Sequence, residues 1–130
     1  VKGYYDYGIF QAVQIASIVA MRECDKDIEE QNMRYQLRRD VICEGLSNIG
    51  WQVEKPRGSM FVWARVPEEQ SKGKGSIDFA MDLMEYANVS IAPGRAFGEN
   101  GEHYMRIALV ENENRLRQAV RNIKRFVQKA

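Results

Sequence analysis

The sequence predicts an α+β domain in which a small mixed or antiparallel sheet is covered by helices. Three observations lead there. Apolar residues recur at helical spacing in several separated segments. Short apolar or alternating runs of strand length lie between them. Glycine and proline fall at the junctions, as at Pro56, Gly58, Pro93 and Gly94. The order reads helix, helix, strand, strand, helix, strand, strand, helix, and the 130 residues are about one domain's worth of chain.

Residues 10–21 read as a helix that is apolar nearly all round, which implies burial on several sides, in a core or against a partner. A longer helix opens at Asp27, where Glu30 makes a variant of the capping box, and Gly50 closes it. Its expected stripe is Met33, Leu37, Val41, Leu46 and Ile49. Residues 51–54 are a short strand candidate, and residues 59–66 are apolar enough for a strand buried on both faces. Residues 67–75 form a polar loop with a flexible Lys72-Gly73-Lys74-Gly75 tip. Ser76 can cap a third helix whose buried face is Ile77, Ala80, Met81, Met84 and Ala87. Residues 89–92 return as a strand ended by Pro93-Gly94, and residues 104–110 are the last strand. Asn112 starts a final amphipathic helix with the stripe Leu116, Ala119, Val120, Ile123 and Val127.

Composition narrows function mainly by exclusion. Nineteen basic against 18 acidic residues leave a net charge of +1, which gives no electrostatic case for nucleic acid or an anionic membrane. The longest apolar stretch, residues 9–21, is shorter than the roughly 18 residues of a membrane span. Cys24 and Cys43 are isolated thiols that match neither a disulfide framework nor a zinc pattern, so a reducing, cytoplasmic setting is expected. The chain begins at Val1, and a piece of a longer protein is expected.

Arg106 carries the most functional information. In a strand, Met105, Ile107 and Leu109 share one face, and Tyr104, Arg106 and Ala108 share the other. A guanidinium held there beside the glycine-punctuated loop 93–102 suits a carboxylate or phosphate. On pattern alone, a strand arginine is more ordinarily one half of a surface ion pair. The other candidates are weaker. Gly94, Gly98 and Gly101 do not have the spacing of the dinucleotide fingerprint, and Lys72-Gly73-Lys74-Gly75-Ser76 lacks the rest of a phosphate loop. His103 has no histidine partner, Glu99 and Glu102 do not make an acid–base pair merely by proximity, and Tyr4, Tyr5 and Tyr7 suggest packing or an interface.

Several segments in order resemble one family. They are Tyr5-Asp6-Tyr7-Gly8 leading to Gln14-Ile15-Ala16, and Pro56-x-Gly58-x-Met60-Phe61-Val62-Trp63. They continue with Ile91-Ala92-Pro93-Gly94-x-x-Phe97-Gly98, and with Gly101-Glu102-x-Tyr104-x-Arg106 through Asn112. Together they resemble the C-terminal small domain of class I/II, fold type I aminotransferases, nearest the alanine- and diaminopimelate-type branch. The resemblance implies pyridoxal phosphate as the parent's cofactor, an amino acid and a 2-oxo acid as its substrates, a homodimer, and a large domain missing from this chain. It places the substrate α-carboxylate on Arg106 and sets Tyr7 near the cofactor of the neighbouring subunit. Residues 1–25 would be an interface and connector segment, residues 26–130 the small-domain body, and the loop at Ala92-Pro93-Gly94 would move on closure. The family's Schiff-base lysine has no counterpart, because the sole Ser-Lys pair, Ser71-Lys72, falls in the wrong place. The piece alone is therefore expected to be inactive and to hold no covalent cofactor. A second reading keeps the same residues as a free-standing α+β module that binds small carboxylates or a protein without catalysis.

Overall fold

The computed structural model describes residues 3–4 and 8–128, with the backbone alone at Gln70. The chain divides into two compact units, Val1–Arg34 and Tyr35–Ala130.

In the first unit, the apolar run forms helix α1, Gln11–Glu23, and helix α2, Asp25–Ser47, begins. All residues of α1 are exposed. Helix α2 opens at Asp25 rather than Asp27, with the amide of Ile28 donating to the carbonyl of Cys24 at 3.0 Å. Asp25 and Asp27 then both lie in the first turn, where the helix dipole favours negative charge.

In the second unit, the buried side chains of α2 are Ile42, Cys43 and Leu46, with Val41 and Ile49 packed beside them. Leu37 is exposed, as is Met33 on the part of α2 in the first unit, which corrects the expected stripe. A row spaced by four drifts about 40° per step around a 3.6-residue helix, so it leaves the buried face. Gly50, at φ +89°, ends the helix as expected, and Trp51 N–H donates back to the Leu46 carbonyl at 3.0 Å. The strand expected at 51–54 does not form. Trp51 is instead buried edge-on to Phe79, with ring centroids 5.7 Å apart, and its indole N–H donates to the Arg65 carbonyl at 2.6 Å. Burying the indole and satisfying its N–H turns this segment into the core instead of along the sheet.

That sheet contains β1 (Phe61–Arg65), β2 (Ala92–Pro93) and β3 (Tyr104–Ala108), in the order β1-β3-β2 and antiparallel throughout. Val62, Ala64, Met105 and Ile107 are buried, whereas Trp63 and Arg65 on the opposite face of β1 are exposed. This corrects the expectation that 59–66 would be buried on both faces. The core joins the sheet to α2, α4 (Ser76–Ala87) and α5 (Glu113–Val127) on one side only. The second strand pairs only at Ala92 and Pro93, since proline has no N–H with which to extend the ladder.

The expected loop 67–75 contains a short helix, α3, Glu68–Ser71. Helix α4 buries Phe79, Ala80, Leu83 and Ala87, while Ile77, Met81 and Met84 are exposed. Two faces of α4 are apolar, so periodicity alone could not choose between them. Helix α5 follows expectation closely: the Asn112 side chain accepts from Arg115 N–H at 3.0 Å, Leu116 and Ile123 are buried, and Ala119, Val120 and Val127 are half-buried. No helix among the described residues is long and apolar enough to cross a membrane.

Candidate carboxylate site

The sheet face that carries no core helix presents Arg106 at its centre. In β3, Arg106 is paired across to Trp63 on one side and Ala92 on the other. Its guanidinium carbon lies 4.4 Å from the ring centroid of Phe61 and 4.1 Å from that of Phe97. Both distances are within the range of a cation–π contact. Trp63 stacks on Tyr104 at 5.5 Å and meets Phe97 edge-on at 5.9 Å, so the cation sits in an aromatic surround. Arg106 is half-buried. Among the described residues, no carboxylate forms an ion pair with it. The ordinary alternative, a surface ion pair, is therefore not what these residues build. A partly dehydrated guanidinium whose donors have no partner among the described residues is suited to a two-point pair with a carboxylate.

The adjoining loop consists of two 3₁₀ turns, Gly94–Phe97 and Glu99–Gly101. Gly94 and Gly101 are buried against each other so closely that a Cβ on either would overlap the other's carbonyl oxygen. Between them Gly98 adopts φ +122°, a conformation that side chains rarely take. The glycine spacing thus serves a backbone clasp, not a nucleotide cradle, in keeping with the sequence mismatch. The clasp fixes both ends of the segment that carries Phe97 and leads into β3.

A second set of contacts ties this loop to α4. Ser76 does not cap its helix: Gly75 occupies the N-cap position without a side-chain bond. The Ser76 N–H donates to the Glu102 carbonyl at 3.0 Å and to its carboxylate at 3.2 Å. The Ser76 hydroxyl instead accepts from Arg95 N–H at 3.2 Å. Arg95 also faces Glu102 at 3.6 Å and Glu99 at 3.5 Å. The two loop-side arginines therefore differ in kind, since Arg95 has acidic partners and Arg106 has none among the described residues. Glu102 is the cap of α4, a role the sequence did not reveal.

The remaining candidates take ordinary positions. Lys72, at φ 51°, is the exposed residue that ends α3. Lys74 pairs with Asp82. His103 is exposed and its carbonyl accepts from Val66 N–H at 2.8 Å. Cys24 and Cys43 are free thiols, and no group of potential metal ligands occurs among the described residues. Tyr7 lies outside the described residues. What sequence reasoning missed was the pair of rings on Arg106. Phe61 and Phe97 lie far apart in the sequence, and only the register that sets Trp63 against Arg106 shows Phe61 to be on the same face.

Comparison with known proteins gives a consistent result. Residues 3–123 match the family model described as "Aminotransferase class I and II". The glutamate-pyruvate aminotransferase AlaC of Escherichia coli is 46% identical over 127 residues, covering 95% of this chain and 30% of the relative. The LL-diaminopimelate aminotransferase of Moorella thermoacetica is 40% identical over 129 residues, covering 99% and 32%. A solved aminotransferase from Staphylococcus aureus superposes with a TM-score of 0.85 at 30% identity, over 96% of this chain and 32% of that one. The chain thus spans about a third of the length of these relatives. The antiparallel three-stranded sheet with helices on one face is the layout shared with those fold type I structures. By sequence and by fold, the chain belongs to the class I and II aminotransferase family.

Proposed function

We propose that this chain is the substrate-carboxylate-binding small domain, in the C-terminal part of a pyridoxal-phosphate-dependent aminotransferase that moves an amino group between an amino acid and a 2-oxo acid. The observation that carries the proposal is Arg106: half-buried, held over two rings, and without an acidic partner among the described residues. Pyridoxal phosphate would supply the electron sink for the chemistry and belongs to the rest of the protein. The part played by this chain is to grip the α-carboxylate through two N–H donors and so fix the direction of the reacting bonds. The names of the relatives favour alanine-, glutamate- or diaminopimelate-type substrates. Because the sole Ser-Lys pair, Ser71-Lys72, lies downstream of Tyr5-Asp6-Tyr7-Gly8 and outside the family's lysine context, this polypeptide alone is expected to be inactive. A homodimer in a cytoplasmic setting, with Tyr7 approaching the neighbouring subunit's cofactor, completes the proposal. Residues 1–25 would serve as the interface and connector, and residues 26–130 as the domain body.

The test is Arg106→Lys in the full-length protein, assayed for transamination. One ammonium cannot reproduce the two-pronged pair, so KM should rise and kcat/KM should fall by roughly tenfold or more. Unchanged kinetics would remove the assignment.

A further inference from the structure

The geometry points to Phe97 as a positioning residue for Arg106, one half of a two-ring clamp that holds the guanidinium ready for the substrate carboxylate. The inference rests on the carboxylate reading of Arg106 and adds to it a determinant of affinity. An arginine side chain has many rotamers, and no carboxylate among the described residues fixes this one. Two rings do so instead. Phe61 is set by the β1–β3 register, which places it diagonally from Arg106 on the same face. Phe97 is set by the loop clasped at Gly94 and Gly101. The two halves of the clamp are thus fixed by independent parts of the fold.

Phe97 has no evident packing role to explain it. It is 50% exposed and is absent from the buried core and from the residues packed against it. Its ring meets the cation at 4.1 Å and the indole of Trp63, which is itself stacked on Tyr104. A half-exposed phenylalanine whose ring lies under a cation and in a T-shaped pair with another ring serves through its π face. That face attracts the cation and excludes water from one of its sides, leaving the free N–H groups for a ligand. Carboxylate affinity should therefore follow the presence of an aromatic ring at 97, not merely its apolar bulk.

The experiment uses the full-length protein loaded with pyridoxal phosphate. Phe97→Leu, Phe97→Met, Phe97→Tyr and Arg106→Gln are compared by calorimetric titration with propionate and by the KM and kcat of the amino-acid substrate. Phe97→Leu and Phe97→Met should raise the propionate Kd and the KM by roughly three- to thirtyfold, with a smaller change in kcat. Phe97→Tyr should stay within about twofold of the parent, because the ring is kept. The clamp is refuted if Leu or Met binds propionate as the parent does, or if Tyr is as weak as Leu. Arg106→Gln separates the two levels of the argument. If it weakens propionate binding while Leu at 97 does not, the clamp fails and the carboxylate site stands. If it leaves propionate binding unchanged, the carboxylate reading fails and the clamp with it.

Discussion

Gly94→Ala is the sharpest structural perturbation available near Arg106. A Cβ at this position would overlap the carbonyl oxygens of Gly101 and Tyr104, which are backbone atoms and cannot rotate aside. Relief requires the loop to part from the start of β3. Forcing an extra carbon into a close-packed site costs about 1–3 kcal/mol. If that cost falls on the local clasp, the free energy of opening loop 94–101 and β3 drops by the same amount. Amide exchange there should then quicken by roughly 5- to 150-fold. The assay is hydrogen–deuterium exchange of the full-length protein, read by mass spectrometry on peptides covering residues 94–108. Gly58→Ala is the control, because a Cβ there meets nothing within 4 Å and the residue has no positive φ. Its effect should stay within about 0.5 kcal/mol. Unchanged protection in Gly94→Ala would show that the clasp does not hold the loop, and the reasoning from the glycine spacing would be wrong.

Two further outcomes follow from contacts outside the site. Asn112→Ala removes the side chain that accepts from Arg115 N–H, so the first turn of α5 should lose about 1 kcal/mol and exchange several-fold faster, whereas equal exchange would deny the cap. Asp40 has its carboxyl held below the usual 3.8 by hydrogen bonds from Lys55 and Arg39, with their charges adding to the effect. Its contribution to stability is therefore complete above about pH 3.8 and is lost as the pH falls through the lower folded value. Asp40→Asn should flatten the acid limb of an unfolding-midpoint profile below pH 4, and a profile identical to the parent's would contradict the pairing.

The parts of the fold that were legible in the sequence are those governed by one local rule. Helix α5 has a capping asparagine and a single apolar face, so its start and its buried stripe could be read directly. The alternation of β3 likewise gave Met105, Ile107 and Leu109 as core residues and Arg106 as the outward cation. Reading failed where two answers satisfied the same rule. Helix α4 offered two apolar faces, and burial of Phe79 and Leu83 was decided by the sheet against which they pack. The apolar composition of 59–66 suggested burial on both sides, but the core helices cover one face only. Residues 51–54 had strand character, but the indole of Trp51 is buried edge-on to Phe79 and bonded to the Arg65 carbonyl, so the segment plugs the core.

The site was legible at its charged centre and obscure at its supports. Arg106 stood out because a cation interrupts an apolar run beside a glycine-rich loop. Phe61, Phe97 and Glu102 did not, because their roles depend on pairings between segments distant in sequence. Glycine spacing was the signal closest to hand. Gly94 and Gly101 mark a backbone approach that fixes where Phe97 stands. The resemblance to aminotransferases supplied an expected role for Arg106, and the aromatic surround supplies a physical reason why an arginine can stand there without an acidic partner among the described residues.

The most direct measurement is a crystal structure of the full-length protein with its amino-acid or 2-oxo-acid substrate bound. The expected result is a carboxylate facing the Arg106 guanidinium through two parallel N–H···O bonds of about 2.7–2.9 Å, with Phe61 and Phe97 still against the cation. A substrate carboxylate held elsewhere, with Arg106 paired instead to a protein aspartate or glutamate, would contradict the assignment of this domain as the carboxylate grip.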